Sequence, residues 1–225
     1  LMGTTLATDL HDDNRRQSYA LGYTKKQGSS ETYVNLFHSI WEKNSDTLNR
    51  NSKLYTNAVY GYTTISGIEA RATRQLNSSH KITVGGEFRP ELFKGTGIQS
   101  GEGVFTKNLK GKDYTGSEIK TNYSAVYVQD EWTLSPQWLA ISSLRWDGSD
   151  RFESNLSPKL GITYTNTPDL RYKFNLGTGF RVPSPNQLYL NLNVIRNGRL
   201  VSLLGNSTLH PEKSTYYDIS AEKDW

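Results

Sequence analysis

The extended runs of this chain are joined by connectors that alternate between short and long, and this alternation limits the folds open to it. Apolar and polar residues alternate with period two along most of the sequence, and helical spacing is nearly absent, which is the pattern of an all-β chain. Strands are predicted over residues 3–9, 17–25, 31–43, 54–76, 80–93, 119–134, 138–147, 156–165, 169–181 and 214–225, with the polar HDDNRR linking the first two. The connectors KQGSS, NSS, SPQ and NTP are short, while those over 44–53, 94–118, 148–155 and 182–213 are long. Neighbouring antiparallel strands place successive connectors at opposite ends of a sheet. All the short turns therefore collect at one end and all the long loops at the other, as in a transmembrane β-barrel.

The alternation alone leaves two environments open, since a soluble sandwich turns its apolar face inward and a membrane barrel turns it outward to lipid. In the run from Leu170, one face carries Tyr172, Phe174, Leu176, Thr178 and Phe180, and the other Arg171, Lys173, Asn175, Gly177, Gly179 and Arg181. Aromatic placement favours the barrel. Trp138 and Trp146 share a face eight residues apart, which at about 3.3 Å per residue and a tilt near 40° is roughly 20 Å of height, close to the separation of two aromatic girdles. A base on the lipid face costs about 2–4 kcal/mol at mid-bilayer and about 0–1 near the interface. Arg74, on the apolar face of its strand, lies beside the NSS turn and so near an interface. Asp130 is the exception, on the same face as Val126, Val128 and Trp132.

Composition removes other classes. There is no cysteine, hence no disulfide or thiolate metal site, and no apolar run near 18 residues that would make a membrane helix. A net charge of +4 mixed with 22 acids gives no nucleic-acid footprint. The start, LMGTTLATDL, has neither a basic segment nor a long apolar one, so no signal peptide is read there and a fragment is expected.

The runs AVYVQDEWTLSPQWLAISSLRWD, SPKLGITY, GTGFRVPSPNQLY and GN-x-x-L-x-PEKS, in that order, resemble the TonB-dependent outer-membrane receptors. Phe180, Arg181 and Pro183 match a FRAP-like tripeptide. Gly205, Asn206, Leu209, Pro211, Glu212, Lys213 and Ser214 match an NP-x-L-x-PE-S element across one large extracellular loop. Val182, Pro185 and Ser207 depart from the usual residues. The resemblance runs from about residue 119 to 225. It implies that residues 1–225 are part of one antiparallel transmembrane barrel, about ten strands of a plugged 22-stranded wall. The plug domain that couples to TonB and further C-terminal strands would lie outside the chain. It further implies a bacterial outer-membrane location, lipid as a partner, and uptake of a scarce ligand, a ferric siderophore first and haem or cobalamin as alternatives.

Within that frame, Gly177 and Gly179 are expected to leave room on the lumen face for plug backbone. Arg181 would project into the upper lumen, with a neighbouring-strand or plug carboxylate as its favoured partner. Ligand contact is expected from Arg181, Gln187, Tyr189, Arg196 and Arg199, a set suited to an anionic iron chelate. A solvated loop held by its own Leu and Tyr residues is an equally good reading. The 94–118 loop, rich in Gly and Lys, reads as mobile. No histidine lies between the two loop motifs, since His210 falls within the second, which lowers haem. No enzyme, cofactor or metal is expected, because the four scattered histidines show no metal spacing. Two rival classes remain: a protease using His11-Asp12-Asp13 in a loop, and a self-contained ten-strand adhesin whose terminal strands pair.

Overall fold

A computed structural model describes residues 8–196 and 199–224, without the side chains of residues 194–196. Its strands are β1 (Thr8–Gln27), β2 (Ser30–Asn49), β3 (Tyr55–Gln75), β4 (His80–Gly95), β5 (Phe105–Leu109), β6 (Lys112–Ser135), β7 (Trp138–Ser149), β8 (Asn155–Thr167) and β9 (Leu170–Arg181). A one-turn helix α1 (Pro185–Tyr189) follows, then β10 (Asn191–Arg196), β11 (Arg199–Leu204) and β12 (Glu212–Lys223). Ten strands form one antiparallel sheet in the order β1-β2-β3-β4-β6-β7-β8-β9-β12, with β5 attached to β6. β10 and β11 pair separately, and β1 and β12 are the edges of the large sheet. Those edges do not meet, contrary to what a self-contained barrel requires.

The register shows which face is wet. Val84, Val128, Leu144 and Pro158 are cross-strand partners on one face of the wall, and the row through Gly86, Val126, Trp146 and Leu156 shares it. This face is apolar yet uncovered: Val126 is 58% exposed and Leu144 41%. Among the described residues no second sheet packs on it. A sandwich would bury these side chains; a barrel gives them to lipid. Among the described residues the buried apolar side chains are Ala58, Tyr60, Ile98, Ile119, Ala125 and Leu188, and all but Ala125 lie at the long-connector end. At the other end the girdle is continuous, with Trp138 and Tyr164 rings 4.7 Å apart and Tyr164 and Tyr172 rings 6.4 Å apart.

Asp130 has a partner that the sequence pattern did not supply. His80, fifty residues earlier, lies diagonally across the β4–β6 ladder, and its Nδ1 is 2.8 Å from Asp130 Oδ2. The same imidazole stacks on Trp132 with centroids 5.3 Å apart. The carboxylate therefore sits in an aromatic girdle, hydrogen-bonded to a neighbour.

The opposite face carries the charge, and its charges pair both along and across strands. Glu87 accepts from Arg89 at 3.1 Å and lies 3.5 Å from Arg145, while Arg89 also meets Glu91 and Arg145 meets Asp147. Tyr127 fills the space over Gly85, where a Cβ would lie 2.5 Å from the ring. The room expected over Gly177 and Gly179 is likewise occupied. A Cβ at Gly177 would lie 2.7 Å from the Tyr216 ring, and at Gly179 2.6 Å from Ser214 Oγ. These glycines admit side chains of β12, which is a neighbour in the wall.

Several boundaries differ from the sequence pattern. Residues 3–7 of the predicted first strand lie outside the described residues. HDDNRR is no link but the upper part of β1, paired residue by residue with β2 from His11↔Asp46 to Arg16↔Trp41. Its polar residues hold the ladder because β2 continues beside it: Ser45 Oγ donates to Asp12 Oδ1 and Arg50 Nε to Asp9 Oδ1. The 44–53 loop shrinks to a turn over 50–54, where Asn49 Oδ1 accepts from the backbone of Asn51 and Ser52. The 94–118 loop contains β5, joined to β6 through Lys110 and Gly111 with φ of 52° and 79°, the positive values a two-residue hairpin needs. The asymmetry of the two ends thus comes as much from strands that outrun the apolar band as from loops.

Candidate gate and binding recesses

The two loop motifs meet in space. Phe180 closes β9 beside the lumen recess, and Arg181 Nη1 lies 3.7 Å from Glu212 Oε2, a carboxylate of the neighbouring strand. Pro183 is buried. Ser184 then starts α1 through a capping box: the Gln187 backbone donates to Ser184 Oγ at 3.3 Å, and the Ser184 backbone to Gln187 Oε1 at 2.9 Å. Gln187 therefore caps a helix.

The second motif clamps onto this helix. Gly205 N donates to Leu190 O at 2.7 Å and Asn206 N to Gln187 O at 2.8 Å. A Cβ at Gly205 would lie 2.6 Å from the backbone of Leu188 and Tyr189, so glycine is required for the approach. Asn206 Oδ1 accepts from the Thr208 backbone and hydroxyl, turning the chain toward Pro211. Leu209 is 40% exposed beside this turn. Glu212 opens β12 on the lumen side, Lys213 pairs with Phe180, and Ser214 lies across from Gly179.

The expected solvated loop over 182–213 is therefore a built element of helix, hairpin and clamp, and it is tied to the 94–118 segment. Gln99 N donates to Tyr189 O, Asn191 N to Gly97 O, and Asn191 Nδ2 to Gln99 Oε1. Ile98, 1% exposed, bridges to Leu190. The Gly-rich segment expected to be mobile is thus pinned. A second tie comes from the β7–β8 turn, where both terminal nitrogens of Arg151 meet the Glu102 carboxylate and Arg151 Nε donates to Lys120 O at 2.6 Å. Arg151 holds the Glu102 carboxyl below its ordinary pKa, and Glu102 raises that of the guanidinium in return.

Two recesses flank this cap. The mouth recess, about 590 Å³, is lined by Arg151, Phe152, Glu153, Tyr189, Leu209 and His210 among others. The lumen recess, about 540 Å³, lies over the charge ladder with Arg89, Tyr123, Arg145, Glu153 and Lys159 in its walls. Of the residues expected to touch a ligand whose side chains are described, Tyr189 alone lines the mouth recess. Arg196 and Arg199 are backbone partners at the end of the β10–β11 hairpin. Arg199 is exposed there, and the Arg196 side chain lies outside the described residues. Phe152, Glu153 and Lys159 gave no signal in sequence, because nothing local distinguishes a turn residue that faces a recess. His11-Asp12-Asp13 lies within β1 and not in a loop, and Asp12 is engaged by Ser45 and Lys43.

A single-layer wall with a lipid-ready face, a self-paired polar face and a packed cap at one end defines an integral outer-membrane β-barrel. The family follows: the model for the TonB dependent receptor-like β-barrel matches residues 3–225, and the chain belongs to that family. It is 29% identical over 126 residues to the vitamin B12 transporter BtuB of Photobacterium profundum, covering 55% of this chain and 19% of that protein. It is 27% identical over 141 residues to an iron-regulated outer membrane virulence protein of Vibrio cholerae, covering 57% and 21%. The chain thus spans about a fifth of the length of these relatives. Among solved structures, the siderophore receptor PirA of Pseudomonas aeruginosa superposes with a TM-score of 0.76 at 18% identity, covering 96% of this chain and 37% of that one. The copper transporter OprC gives 0.71 at 14% identity, covering 97% and 38%. These structural likenesses establish the fold.

Proposed function

We propose that this chain is wall and gate of a receptor that takes up a scarce metal complex, a ferric siderophore first, in TonB-energised transport. A plug domain outside these residues would occupy the lumen and contact TonB. The observation that carries this reading is the clamp of Gly205 and Asn206 on α1, which closes a packed cap beside a recess that shares Glu153 with the lumen recess. The neutralised charge ladder below gives a polar, water-compatible path. Cobalamin is the second reading, supported by the 29% identity to a vitamin B12 transporter. The test is uptake by a strain lacking the full-length gene, offered labelled ferric siderophores, haem and cobalamin separately. Loss of siderophore uptake is expected; unchanged uptake of all three overturns the reading.

A further inference from the structure

The mouth recess constrains the charge of the ligand, an inference that rests on the receptor reading above. Phe152, Tyr189, Leu209 and Pro211 supply its apolar and aromatic wall. Arg151, the arginine of the lining, is fully engaged by Glu102 and the Lys120 carbonyl. Asp150 is held by the Asn122 backbone and side chain at 3.0 and 2.7 Å. Glu153 and His210 remain without a hydrogen bond or ion pair among the described residues. Glu153 lines the lumen recess as well, so a carboxylate stands where the two recesses adjoin. Lys159, exposed and without an ion pair among the described residues, belongs to the lumen recess and not to the mouth.

We infer that the mouth recess takes a metal complex of zero net charge, which seats an apolar part on Phe152 and Tyr189 and donates hydrogen bonds to Glu153. Ferric ion held by three singly charged hydroxamates carries no net charge. Held by three doubly charged catecholates it carries three negative charges, and these would face Glu153 with no free cation in the described lining to offset them. Arg199, expected from sequence to draw an anion, sits exposed on the hairpin and is not part of the described lining.

The test titrates the full-length receptor in detergent with ferrichrome (a neutral ferric tris-hydroxamate), cyanocobalamin (a neutral cobalt complex) and ferric enterobactin (a tris-catecholate), at about 50 and about 500 mM salt. A neutral complex is expected to bind with an affinity that changes less than about twofold with salt. Phe152→Ala should weaken it about tenfold, the effect of removing one buried ring. Wild-type hydrogen-exchange protection at the Gly205 and Asn206 amides of the Phe152→Ala variant reports that its cap is folded. Glu153→Gln should improve enterobactin binding more than that of either neutral complex. Tighter, salt-sensitive enterobactin binding overturns the charge assignment while leaving the receptor reading intact. Neutral binding indifferent to Phe152→Ala overturns the recess assignment. Binding of none of the three counts against the receptor reading itself.

Discussion

Gly205→Ala isolates the clamp from the wall. The new Cβ would lie 2.6 Å from the Leu188 carbonyl carbon and the Tyr189 nitrogen, both backbone atoms of α1 that cannot turn aside. Relief requires the second motif to lift from the helix, which breaks the Gly205–Leu190 and Asn206–Gln187 hydrogen bonds. Overpacking of this kind costs about 1–3 kcal/mol, and each lost hydrogen bond about 0.5–1.5 kcal/mol. Because relieving the clash is what breaks the bonds, these do not simply add, and about 2–4 kcal/mol is expected. At about 1.4 kcal/mol per factor of ten, the open population of the cap should rise roughly thirty- to several-hundred-fold. Hydrogen exchange on the full-length receptor in detergent measures this directly at the amides of Gly205 and Asn206, the two clamp donors. Amides in β7 and β8 should keep their protection, because the barrel wall does not depend on the clamp. Gly61→Ala is the control, since a Cβ there meets nothing within 4 Å. If Gly205→Ala leaves amide protection at the wild-type level, the steric reasoning is wrong.

Two further outcomes concern charged pairs. Removing His80 by H80A should strand Asp130 on the lipid side and lower the equilibrium folding stability in bilayers by about 1–2 kcal/mol. H80A/D130V should recover most of that loss; a neutral H80A would show that Asp130 needs no partner. At the cap, the Glu102 carboxyl has a lowered pKa in the folded state, so its contribution is fully present above the unfolded carboxylate value. It disappears as pH falls through the lowered one. With the Glu102 side chain 52% exposed, the pair is worth about 0–1 kcal/mol. Limited proteolysis of the 96–104 segment should therefore quicken modestly below about pH 4.5, and Glu102→Gln should quicken it at neutral pH and remove the acid step.

The wall was legible in sequence where lipid meets one face and water the other. That contrast writes the alternation of β9 and the Trp138–Trp146 spacing directly into the residues. Above the bilayer the contrast ends, because β1 and β2 have water-tolerant residues on both faces. HDDNRR then looks like a link although its hydrogen-bond ladder is intact. The pairing of Asp130 with His80 was invisible because it depends on a register set fifty residues away. The motif residues were legible as a frame. Their physical roles were not: Gly205 as the site of a backbone contact and Gln187 as a helix cap appear only once α1 exists. The recess residues Phe152 and Glu153 depend on which turn lies beside which loop, a matter of tertiary placement.

The strands that outrun the apolar band have a mechanical consequence. β2 has 20 residues, roughly 65 Å of continuous ladder at about 3.3 Å per residue. Even tilted, it is much longer than the apolar band of about 25 Å that lipid covers. One unbroken ribbon therefore passes from the periplasmic turn through lipid and on into water, with no joint at either boundary. A load applied to the turn at residues 50–54 therefore passes down this ribbon and, through its ladders to β1 and β3, sideways into the wall.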